Sequence, residues 1–149
     1  MWGTCGSNIG RIGVIAHETG HFLGLPDLYD TDGNDPGNGI GSYGLMANSW
    51  GFDGSQHYPP HMSAWSKMDL GWLNPTVITA AGTYNLPEVE FNSSAYRIDL
   101  GYPGNEYLLV VNRQPAGFDG AMPQGGLVIW HIDNTADFNI QGFPVAHFI

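Results

Sequence analysis

Apolar side chains at Ile9, Ile12, Val14, Ile15 and Leu23 recur at helical spacing and predict a first helix over about residues 8–23. Ser7 or Asn8 is placed to cap its start. Gly10, Gly13 and Gly20 each weaken its propensity by about 1 kcal/mol, so the helix needs tertiary packing to persist. Gly24 suits a left-handed ending, and Pro26 stops the helix from resuming. Residues 27–54 then read as a long loop rich in Gly, Asp and Asn, of the kind that is functional or pinned by ions. A second helix is predicted over about 60–70, with Pro60 in its first turn, Trp65 and Met68 on its packing side, Gly71 at its end and Trp72 extending that surface.

Past Pro75 the pattern changes to short β-branched and aromatic runs between Gly, Pro and Asn turns. Strands are expected at 76–79, 83–86, 95–100, 106–112 and 126–132, forming an antiparallel sheet or small sandwich. The fold class is therefore α+β. A boundary near Pro75 separates a helix-and-loop part, 1–75, from an antiparallel β region, 76–149, that reads as truncated at its end.

Composition narrows the function. With 42% hydrophobic and 13% aromatic residues, the 149-residue chain can bury a core. Fourteen acidic against four basic residues give a formal net charge of −10. Nucleic acid binding needs clustered Lys and Arg, so it is excluded as an expectation, as are anionic membrane surfaces. No run approaches the roughly 20 apolar residues of a membrane span, and no signal peptide is visible, so any export signal is expected upstream. The single cysteine, Cys5, rules out an internal disulfide and reads as an incidental thiol.

The chemistry concentrates in His17-Glu18-Thr19-Gly20-His21. Residues four apart share a helix face, so the two imidazoles can hold one ion, and zinc suits them. Glu18 follows the first ligand and can reach water at the metal, remove its proton and return it to the leaving amine. The run continues through Gly24 to Asp27 and resembles the extended metzincin motif with Asp in its last place. Asp27 is the favoured third ligand, with His57 and His61 as alternatives. Met46, between Gly44 and Ala47, has the look of the methionine turn beneath such a site, and Tyr43 is a candidate hydrogen-bond donor to the oxyanion or a packing tyrosine. Asp30, Asp32 and Asp35 offer closely spaced oxygens for calcium or form a polar turn; the spacing is not that of an EF-hand. His131 and Asp133, at the end of the last strand, read as structural.

Four segments in order, HETGHFLGLPDLYDTD, GLMANSWG, PHMSAWSKMDLGWL and GGLVIWHID, together resemble the immune inhibitor A family of bacterial secreted metallopeptidases. The resemblance implies a secreted zinc endopeptidase acting on protein or peptide substrates, with a metzincin-like catalytic domain. By position it implies His17, His21 and Asp27 as zinc ligands, Glu18 as general base, Met46 in the methionine turn, and structural calcium. It also implies a sheet subdomain before the zinc helix, whereas only 16 residues precede His17. The chain is thus expected to be a fragment, able to bind zinc without necessarily cleaving protein. Two other functions stand beside this one. One is a non-catalytic binding module with Tyr96, Tyr107, Phe118 and Trp130 as a stacking surface; the other is a zinc hydrolase of small amides.

Overall fold

The computed structural model describes residues 10–31 and 39–135. Its first helix, α1, runs Ile12–Phe22 and starts later than the apolar spacing predicts, because Arg11 is extended and makes no side-chain cap. The expected caps Ser7 and Asn8, like Cys5, lie outside the described residues. The expected apolar face is also not the buried one. Ile12 and Ile15 remain 46% and 54% exposed, while Gly13, His17 and Gly20 are buried. The glycines that weaken α1 as an isolated helix are the positions where it packs. A Cβ on Gly13 would sit 2.2 Å from the Ser49 carbonyl oxygen, and one on Gly20 2.3 Å from the Met46 sulfur.

The second helix, α2, spans Ala64–Asp69 and is shorter than expected. Ser63, not a residue near Pro60, sets its start: the Ser63 hydroxyl accepts the Ser66 N–H at 3.1 Å. Both helices end alike. Beyond α1, Gly24 at φ 98° lets its own N–H reach the His21 carbonyl and the Leu25 N–H reach the Gly20 carbonyl. Beyond α2, Gly71 at φ 70° repeats the device, with Gly71 N–H on Met68 and Trp72 N–H on Lys67.

Four strands follow: β1 (Thr76–Val77), β2 (Tyr96–Ile98), β3 (Glu106–Arg113) and β4 (Gly126–Asp133), lying side by side in that order. The sheet is mixed rather than antiparallel. β1 runs parallel to β2, whereas β2–β3 and β3–β4 are antiparallel. Residues 78–95 form a connection long enough to return the chain in the same direction. The strand expected at 83–86 does not form. Pro87 follows it without an N–H, and the Leu86 carbonyl accepts from the Asn112 side chain at 3.0 Å.

Strand alternation sends Tyr107, Leu109 and Val111 of β3 and Val128, Trp130 and Ile132 of β4 to one inner face. Against it lie Leu25, Leu28, Ile40, Met46, Ala64 and Leu73 in one hydrophobic cluster, which crosses the composition change at Pro75. Trp65 and Met68 of α2 pack on this cluster, as their spacing predicts, but Trp72 is exposed. Among the described residues no helix is long and apolar enough to cross a membrane.

Candidate metal centre

On α1 the His17 and His21 rings meet edge to face, with centroids 4.7 Å apart. Each ring has one nitrogen fixed by a backbone carbonyl: His17 Nδ1 lies 2.9 Å from the Leu45 oxygen and His21 Nδ1 2.8 Å from the Leu25 oxygen. A carbonyl only accepts, so each Nδ1 carries the proton, and in the neutral rings each Nε2 is a bare lone pair. Those two Nε2 atoms are 3.1 Å apart. Asp27 Oδ1 stands 3.0 Å from one and 3.2 Å from the other, and it is buried without a hydrogen-bond donor.

Three electron pairs thus converge with no proton among them, an arrangement that costs free energy unless a cation fills the centre. The spacing also fits. Zinc–ligand distances of about 2.0–2.1 Å in a tetrahedron put neighbouring ligand atoms about 3.3 Å apart. Two imidazoles and a carboxylate are a normal donor set for zinc, with a fourth position left open. Among the described residues, His17, His21 and Asp27 are the one group of three or more metal-ligating side chains.

Backbone contacts from two loops hold these groups. The glycine turn after α1 swings the chain back so that Leu25 receives His21. Leu28, fully buried one residue past Asp27, donates its N–H to the Met46 carbonyl and accepts the Ile40 N–H, which pins the segment carrying the carboxylate. Met46 sits in a tight turn in which the Ala47 and Asn48 N–H groups both reach the Gly44 carbonyl. Its sulfur packs against α1 at Gly20, between the two histidines, and the neighbouring Leu45 carbonyl orients His17.

Glu18 is exposed on α1. Its charge is felt at Tyr29, whose phenol is pushed above its usual range first by burial and then by the Asp27 carboxylate, with Glu18 adding to the effect. The Tyr29 ring lies 6.4 Å from that of His17. Apolar periodicity and motif spacing do not single out Tyr29; its place two residues after Asp27 is the only signal the chain offers.

The other candidates lie elsewhere. His57 is exposed, and its N–H bonds the Ser55 hydroxyl. His61 gives its N–H to Asp119 and its Nε2 to a very close contact with Lys67 Nζ. Neither joins His17, His21 and Asp27. Burial, then the Lys67 and Arg113 charges, lower His61 to about 4; burial and Arg113 lower Lys67 to about 8. The Tyr43 ring packs edge-on against Phe52, and its carbonyl accepts from Arg113 at 3.0 Å. Asp30 is half-buried, while Asp32 and Asp35 lie outside the described residues.

His131 pairs with Glu106 at 2.8 Å across β3 and β4, and Asp133 accepts from Asn105 and Thr135 just beyond the strand ends. Of the four aromatics of the alternative stacking surface, Phe118 is exposed and Tyr96 half-buried, whereas Tyr107 and Trp130 point inward. Trp130 and Tyr107 are only 1% and 3% exposed, because their strand positions face the core.

Residues 4–73 match the family model described as immune inhibitor A peptidase M6, catalytic domain. Over 69 residues the chain is 41% identical to the pre-pro-metalloprotease PrtV of Vibrio cholerae serotype O1 (strain ATCC 39315 / El Tor Inaba N16961), covering 42% of this chain and 8% of that protein. Over 38 residues it is 53% identical to Immune inhibitor A of Bacillus thuringiensis subsp. alesti, covering 26% of this chain and 6% of that protein. The matched stretch is therefore a small part of those relatives. No solved structure matches the chain significantly. Across residues 4–73 the chain is therefore similar to the immune inhibitor A peptidases of family M6.

Proposed function

We propose that this chain carries the zinc centre of an endopeptidase that hydrolyses protein substrates, with His17, His21 and Asp27 as ligands and Glu18 as general base. The observation that carries the reading is the convergence of two Nε2 lone pairs and the orphaned Asp27 Oδ1. Bound there, zinc supplies Lewis acidity toward the scissile carbonyl and toward water. Leu45 and Leu25 hold each imidazole in the tautomer that offers Nε2. Glu18, next to the first ligand and free in solvent, takes a proton from the attacking water and gives it to the departing amine nitrogen. Met46 forms an apolar floor under the two histidines, and the glycine turn to Asp27 followed by this methionine supports a metzincin-like arrangement. An extracellular location belongs to the same proposal and rests on the family and the acidic composition.

Replacing Glu18 by Gln tests the assignment. The variant is expected to bind zinc as the parent does while casein hydrolysis falls by a factor of about 10² to 10⁴ or more. Hydrolysis retained at the parent rate would remove Glu18 from the role of base.

A further inference from the structure

Basic side chains are scarce in this chain, four against fourteen acidic ones, and three of the four spend their charge inside the fold. Arg97 pairs with Asp99, Arg113 pairs with Asp119 and Glu90, and Arg11 donates to the Ser55 carbonyl at 2.7 Å. Lys67 of α2 differs. Its amine meets His61 Nε2, and among the described residues no carboxylate forms an ion pair with it. His61, held down to about 4, is neutral near neutral pH and offers no counter-charge. It accepts one of the three ammonium N–H groups and leaves two for another acceptor. Both side chains line a cleft of about 330 Å³, and among the described residues they are its only ionisable groups. The rest of the lining is apolar: α1 contributes Ile12 and Ala16, and Trp72 and Phe118 add exposed aromatic rings. Burial, then the Arg113 charge, hold the amine at about 8, and Glu90 and Asp119 offset this only in part. The ammonium is short of counter-charge where it stands, and an anion beside it would relieve that penalty.

We propose that this cleft binds a small monocarboxylate with an apolar tail, the carboxylate on Lys67 Nζ and the tail against Ile12, Trp72 and Phe118. The amine selects the anion, and the apolar walls contribute affinity in proportion to the tail they cover. At the roughly 30 Å³ of a water molecule in the liquid, the cleft suits a ligand on the order of ten non-hydrogen atoms. A single ammonium matches a single negative charge, so a dianion would leave part of its charge unpaired among hydrocarbon. The site is separate from the metal centre. None of His17, His21 and Asp27 lines it, and Ala16 and Glu18, at about 100° per residue, stand on opposite flanks of α1.

The test is calorimetric titration of the full chain with hydrocinnamate, a phenyl ring on a short carboxylate, both zinc-loaded and metal-free. Hydrocinnamide, the neutral amide of the same shape, and acetate, which lacks the tail, serve as comparisons. Hydrocinnamate is expected to bind once per chain, with the same affinity with and without zinc. The amide is expected to bind about 10-fold or more weakly, because it loses the charge-assisted bond, and acetate to show no saturable binding over the same range. Lys67→Met keeps the length of the side chain and removes its charge. It is expected to lower hydrocinnamate affinity by at least about 10-fold and to abolish the preference over the amide. Lys67→Arg is expected to keep that preference, and Trp72→Ala to weaken both ligands alike. Thermal melting of each variant shows that its fold is retained; should Lys67→Met not fold, the acid–amide comparison in the parent and in Lys67→Arg decides. Equal affinity for acid and amide, or no saturable binding to the metal-free parent, overturns the proposal. So does hydrocinnamate binding that survives Lys67→Met unchanged. Binding that requires zinc places the carboxylate on the metal centre instead, which overturns the cleft and leaves the zinc reading standing.

Discussion

His17 and His21 act as a pair because neither ring is free to turn. One nitrogen of each is held by a carbonyl from a different loop, so the opposite nitrogens are aimed before any ion arrives. Changing His21 to Ala removes one of three donors and is expected to weaken zinc binding by at least about 10²-fold in a chelator competition, with the metal-free fold retained. The approach of the two histidine rings is legible from sequence because their spacing is itself the geometry: four residues make about one helical turn. Asp27 is legible only through the motif that precedes it. What brings Asp27, and not His57 or His61, beside the two imidazoles is the return path of the chain after Gly24, set by backbone bonds to Leu28 that no residue pattern reveals.

At the scale of elements, α1 shows how hydrophobic periodicity can mislead. Its isoleucines mark a broad apolar face, yet the helix is buried through glycine, where Met46 and the Ser49 loop approach too closely for any side chain. Gly13→Ala places a methyl against a backbone carbonyl that cannot move aside as a flexible side chain would. We expect it to destabilise the metal-free chain by about 1–3 kcal/mol, read from thermal or denaturant melting, although alanine is the better helix former. A neutral or raised melting temperature would mean that α1 does not sit this close to the Ser49 loop. Helix endings are read well from sequence because Gly24 and Gly71 are demanded by local backbone geometry. Strand direction is read poorly, since β1 and β2 become parallel through a connection whose course depends on distant partners.

The whole molecule is tied together by a charge cluster that the sequence gives no reason to expect. Arg113 of β3 is buried and forms two 2.6 Å bonds to Asp119, and it reaches the Tyr43 carbonyl on the loop that leads to Met46. Asp119 also receives the His61 N–H, so the sheet, the Tyr43 loop and the segment before α2 meet at one ion pair. Glu90 is buried 3.5 Å from Arg113, and burial pushes its carboxyl up. Removing Asp119 strips Arg113 of its two shortest bonds and leaves only Glu90, at 3.5 Å, to offset the buried charge, so Asp119→Ala is expected to cost about 3–5 kcal/mol in denaturant melts. A loss below about 1 kcal/mol would show that the pair is not the tie described.

The same cluster gives a pH dependence. His61 is held down to about 4, so between its unfolded value near 6.5 and about 4 the unfolded chain binds more protons than the folded one. Stability of the metal-free chain should therefore fall as pH drops through that window, and His61→Gln should lessen the fall. An unchanged slope in the variant would place the responsible group elsewhere.

All of this is organised around one convergence of lone pairs, and X-ray absorption at the zinc edge, on the chain loaded with one equivalent of the metal, examines that convergence most directly. The account predicts two imidazole nitrogens and oxygen ligands at about 2.0–2.1 Å, with one imidazole lost in His17→Ala and the oxygen shell altered in Asp27→Ala. A spectrum with three imidazoles, with sulfur, or one that is unchanged in both variants would contradict it.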